Sequence, residues 1–113
     1  MGEFKMTDMQ TPFALILHGG NARSAALEAI AFARQRDFES ASEKMKLASE
    51  EISAAHRIQT DLIQEEARGN HAEISLLLVH AQDHLMNAIT VKELAEEFIT
   101  LHKRVEEKVT VTV

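Results

Sequence analysis

The chain has 113 residues, 45% of them apolar, 27% charged and none of them cysteine, with a formal net charge of −6. That length suits one domain, and the missing thiols exclude disulfides, thiolate chemistry and a thiolate metal site. The acidic balance disfavours nucleic acid, whose binders carry a basic face, and no apolar run approaches the roughly 18 residues that would span a bilayer.

Met1-Gly-Glu-Phe-Lys5 ahead of Met6 looks like an expression remnant. Residues 1–10 read as a flexible N-terminus without a cleavable apolar leader, and residues 11–108 as one helical domain. Strand signals are nearly absent, since aromatics are few and hairpin dipeptides are missing. The first helix is expected to start with Thr11 as N-cap and Pro12 at the first helical position. Its apolar residues include Phe13, Ile16, Leu17, Leu27, Ile30 and Ala31, and it ends near Arg36. Gly19-Gly20 interrupts this pattern, which points to a kink or a close helix–helix approach.

Asp37 caps a second helix whose stripe, Phe38, Ala41, Met45, Ala48, Ile52, Ala55, Ile58, Leu62 and Ile63, recurs at steps of three and four. Gly69 stops it after Arg68. The third helix is expected from Ala72 or Glu73 to Lys108. One of its stripes reads Ile74, Leu78, Ala81, Leu85, Ala88, Ala95, Phe98, Leu101 and Val105. A second reads Leu76, Val79, Asp83, Met86 and Thr90. Two partly apolar faces exceed what a three-helix monomer can cover, so the second is expected to pack against other subunits. Residues 109–113, ending Thr110-Val-Thr-Val113, read as a disordered tail. The fold class is therefore all-α, an antiparallel three-helix protomer built to oligomerise.

The chemistry concentrates in Ser75-Leu-Leu-Leu-Val-His80-Ala-Gln-Asp-His84-Leu-Met86. On a helix, His84 lies about 40° round from His80 and Asp83 about 60° the other way, while Gln82 points about 160° off. Three readings of these residues stand. The pair His80 and His84 at i, i+4 could chelate zinc, although a hydrolytic centre also needs a third ligand and a cleft. The histidines could instead be hydrogen-bonding residues of a helical interface. Or His80 could carry a phosphoryl group, one ring nitrogen attacking phosphorus while the other is held as N–H. An apolar rim such as Leu76 to Val79 suits a carrier that must also release what it holds.

This motif resembles the active-site helix of the lactose/cellobiose family of enzyme IIA proteins of the bacterial sugar phosphotransferase system. So do Gly20-Asn-Ala-Arg-Ser24, Ala55-His-Arg-Ile-Gln-Thr60, Leu62-Ile-Gln64 and Glu93-Leu-Ala95. The resemblance runs from about Phe13 to Arg104. It implies a cytoplasmic phosphotransferase component that forms a nine-helix homotrimer. His80 would accept a phosphoryl group from the phosphocarrier HPr and pass it to enzyme IIB, with no nucleic acid and no membrane insertion. It also implies that Asp83 meets its two copies on the trimer axis, around a divalent cation such as magnesium. His84 and Gln82 are expected in supporting roles, Gln82 only from a neighbouring subunit. Arg23 could donate to a phosphoryl group but reads better as a capping or ion-pairing residue. The alternatives are a helical adapter without chemistry and a metal-binding bundle.

Overall fold

The computed structural model describes residues 10–112. The expectations for residues 1–9 and for Val113 lie outside them. The chain folds into three helices, α1 (Gln10–Arg34), α2 (Phe38–Ala67) and α3 (Leu76–Thr112). The all-α expectation holds, with differences at several helix ends.

α1 already includes Gln10 and Thr11, so Thr11 is not its cap. Pro12 falls within the first turn, where its missing N–H costs no helical bond. The exit from α1 is a Schellman turn: Asp37 N–H donates to Phe32 O and Arg36 N–H to Ala33 O, each at 2.9 Å. Arg36 holds the left-handed position of that turn, at φ 67°. α2 then starts at once, because Asp37 Oδ1 accepts from Ser40 N–H at 3.1 Å. At its far end the same turn recurs, Asn70 N–H to Glu65 O and Gly69 N–H to Glu66 O, with Gly69 at φ 95°.

α3 begins later than the apolar pattern suggests. Ser75 is the effective N-cap, its Oγ accepting from Leu78 N–H at 3.1 Å and its carbonyl from Val79 N–H at 3.0 Å. Ala72 to Ile74 therefore lead into the helix without joining it. The helix also continues past Lys108 to Thr112, so residues 109–112 are helical and not the disordered tail the sequence suggests.

The core is a seam of small side chains. Buried positions in α1 are Pro12, Leu15, Gly19, Ala22, Ala25, Ala26, Ala29 and Ala33. They meet Ala41, Ala48, Ile52, Ala55 and Leu62 of α2, and Ala81, Leu85, Ala88, Ala95 and Ile99 of α3. The alternating steps of three and four produce the close, nearly aligned packing of coiled coils. Successive layers pair Leu15 with Ala81 and Leu85, then Ala22 with Ala88, Ala26 with Ala95, and Ala33 with Ile99. α1 and α3 thus run in the same direction, and α2 runs against both. α1 is the middle of the assembly, because α2 and α3 touch each other far less than either touches α1. No polar or charged side chain among the described residues is fully buried.

Two assignments change. In α1 the expected apolar face is not the inward one: Phe13, Leu17 and Leu27 are exposed and Ile16, Ile30 and Ala31 half-buried. Leu15, Gly19 and the buried alanines from Ala22 to Ala33 occupy the seam instead and let the helices approach closely. The core face of α3 continues through Ile99, while Phe98, Leu101 and Val105 stand open to solvent. They join Leu76, Val79, Met86 and Leu94 in a long exposed apolar face. That face bears out the expectation that α3 carries more apolar surface than this chain covers.

Candidate functional site

α3 presents His80 and His84 one turn apart, as i, i+4 spacing requires. Their rings meet edge to face, with centroids 5.6 Å apart. His80 is exposed and His84 half-buried. The half-burial of His84 has a local cause in α1. Gly19 brings the two backbones together, for a Cβ there would lie 3.5 Å from the His84 carbonyl and from Leu85 Cα. Gly20 leaves room beside the ring, where a Cβ would lie 3.7 Å from His84 Cε1. Of the two expectations for Gly19-Gly20, the close approach is the correct one, and α1 runs unbroken through both.

The rings open onto a shallow groove of about 380 Å³ between α1 and α3, lined by Arg23, His80, Asp83, His84, Asn87 and Val91. The structure therefore brings His80, Asp83 and His84 together, as the helix geometry predicts. Asp83 is exposed, and its Oδ2 accepts from Asn87 Nδ2 at 3.3 Å.

Gln82 does not join them. It turns to the other side of α3, where Gln59 Nε2 of α2 donates to its Oε1 at 2.7 Å. Within one chain Gln82 is thus a structural link between two helices that otherwise touch little, and the supporting role expected of it is not provided there. Sequence periodicity carries no signal for such a polar pair.

Arg23 is the residue whose placement differs most from expectation. It lies in the middle of α1, so it caps nothing, and it forms no ion pair among the described residues. It faces the groove from the turn after Gly20.

Among the described residues no group of three His, Cys, Asp or Glu side chains is placed to hold a metal ion. The pair His80 and His84 has no third protein ligand among the described residues, which weakens the zinc-centre reading on donor geometry. No helix among the described residues is long and apolar enough to cross a membrane.

Known proteins share this sequence pattern and fold. The family model for the lactose/cellobiose-specific IIA subunit of the PTS system matches residues 10–103. The lichenan-specific phosphotransferase enzyme IIA component of Bacillus subtilis is 56% identical over 99 residues, covering 88% of this chain and 90% of that protein. The crystal structure of the cellobiose-specific enzyme IIA from Bacillus anthracis superposes with a TM-score of 0.88 at 58% identity, over 96% of each chain. The IIA(Chitobiose) of Escherichia coli, solved in complex with HPr, superposes with a TM-score of 0.74 at 36% identity, over 94% of this chain and 99% of that one. Sequence and fold agree, and the chain belongs to the lactose/cellobiose-specific IIA family, as a phosphotransfer component of the sugar phosphotransferase system.

Proposed function

We propose that His80 is the phosphoryl carrier, accepting the group from phospho-HPr and passing it to a cysteine of the cognate enzyme IIB on the cytoplasmic side of the membrane. The observation that carries this reading is the exposed His80 ring at the rim of a shallow groove, packed edge to face with the His84 ring at a centroid distance of 5.6 Å. An exposed imidazole can meet a donor protein and then an acceptor protein at the same nitrogen. A phosphoryl group bound in a shallow groove is held weakly enough to leave again.

The exposed apolar face of α3 supports a homotrimer, in which Val79, Met86 and their neighbours would pack against copies of themselves. Asp83 interrupts that face. One carboxylate cannot hold a metal, but three related by symmetry would offer hard oxygen donors of the kind magnesium takes. Asn87, already bonded to Asp83, would orient each of them. The three relatives described above are named for lichenan, cellobiose and chitobiose, so this scaffold serves different sugars and the choice of sugar lies with other components.

The test is intact mass after incubation with phosphoenolpyruvate, enzyme I and HPr. One acid-labile phosphoryl per chain is expected, and none on His80→Gln. Equal labelling of the variant would place the carrier at another residue. An unlabelled parent chain beside phosphorylated HPr would favour an adapter role.

A further inference from the structure

The carrier reading leaves one charged side chain of the groove without a task. We propose that Arg23 is a phosphoryl-binding residue, its guanidinium donating to the phosphoryl oxygens as the group arrives at and leaves His80. The proposal rests on the assignment of His80 as carrier.

Some cations of this chain have protein partners, while Arg23, Arg34, Lys46, Arg57 and Arg104 make no ion pair among the described residues; of these, Arg23 alone lines the groove. Lys44 pairs with Glu28 at 2.8 Å, Arg36 with Glu106 at 2.8 Å and Lys92 with Glu96 at 3.1 Å. Arg23 has none among the described residues, although the chain carries 18 carboxylate side chains. It nonetheless lines the groove that His80 and His84 open onto.

The local charge balance calls for such a cation. A phosphoryl group on His80 would bring roughly −1.5 to −2 charges into a groove that already holds Asp83. Arg23 is the only cation among the described residues lining it. A guanidinium also presents N–H donors in a fork that matches phosphoryl oxygens.

Direction fits as well. Side chains on a helix lean toward its N-terminus. Since α1 and α3 run the same way, Arg23 leans from the Asn87 end of the groove toward His84 and His80. Gly20, the preceding residue on that face of α1, adds no side chain to block the way.

In the transfer, a phosphorus–nitrogen bond to the donor imidazole breaks as one to His80 forms. The donor nitrogen keeps the electron pair, and each ring retains the N–H on its other nitrogen. Arg23 stays protonated throughout and holds charge on the oxygens, so it is expected to speed both acceptance and donation.

Arg23→Gln and Arg23→Lys would be compared with the parent chain and His80→Gln, using phospho-HPr and, separately, phosphoramidate as a protein-free donor. Circular dichroism and sedimentation would confirm that fold and assembly are kept. The expected result is a loss of about tenfold or more in the rate of His80 labelling by both donors in Arg23→Gln, with partial recovery in Arg23→Lys. The 31P resonance of the phosphohistidine should also titrate differently with pH in Arg23→Gln. Rates within about twofold of the parent for both donors, or slowing with phospho-HPr alone, would overturn the proposal. The second outcome would make Arg23 a docking contact for HPr. A parent chain labelled by neither donor would bring down the His80 assignment and this inference together.

Discussion

The two Schellman turns solve one backbone problem with different residues. Each needs a left-handed residue after the helix, and α2 uses Gly69 while α1 uses Arg36. An L-residue pays about 1–2 kcal/mol in that conformation. Arg36 recovers part of this through its exposed ion pair with Glu106, a class of interaction worth about 0–1 kcal/mol. Arg36→Gly should therefore stabilise the protein, by about 0.5–1 kcal/mol in urea denaturation. Gly69→Ala should destabilise it by about 1–2 kcal/mol, and for a backbone reason alone, since a Cβ at Gly69 would meet nothing within 4 Å. A loss of stability in Arg36→Gly would show that the ion pair outweighs the strain. The same turns show what one residue can reveal in advance. Asp37 and Gly69 are legible because cap and stop depend on their own chemistry. Arg36 gives no such sign, and the placements of Arg23 and Gln82 emerge only once α1 and α2 are set against α3.

Among the elements, the alanine seam decides how the helices meet. Ala25, Ala26, Ala48 and Ala95 form one of its layers, with Ala26, Ala48 and Ala95 at 0% exposure. Such a layer has no slack for a larger side chain. Ala26→Leu should push α1 away from its neighbours and cost about 1–3 kcal/mol, read as a fall in the urea midpoint; an unchanged midpoint would mean that the layer can open without strain. The periodicity predicts three helices and most of the α2 and α3 walls of this seam, because small and apolar residues recur there at steps of three and four. It misses the α1 wall, where larger apolar residues such as Phe13 and Leu17 are exposed and alanines are buried. It misjudged both ends of α3. Ile74 continues the apolar spacing, but Ser75 bonds the first turn behind it and so sets the boundary. Farther along, Phe98 and Ile99 are neighbours of equal apolarity. Only packing against Ala33 and Ala41 shows that Ile99 is the inward one.

For the whole molecule, the decisive feature is that α3 is apolar on two sides. One side is covered by α1 and α2, and the other is the exposed face interrupted by Asp83. If three copies close on that face, their carboxylates repel one another unless a cation or protons offset them. Asp83→Leu should then raise the melting temperature of the trimer and abolish any gain from added magnesium. A lower melting temperature in that variant would show that the carboxylates hold the assembly together. The candidate site was largely legible because its two histidines and its aspartate share a single helix. Its second wall was not, since that wall comes from α1, about sixty residues earlier in the chain.

The central place of α1 has a further consequence. The groove depends on one seam, that between α1 and α3, while α2 rests on the opposite flank and reaches α3 chiefly through Gln59 and a few core residues. The outward surface of α2, where Lys46, Ser49, Glu50, Ser53 and Arg57 stand, is insulated from the histidines. Substitutions there are expected to leave the rate of His80 labelling unchanged.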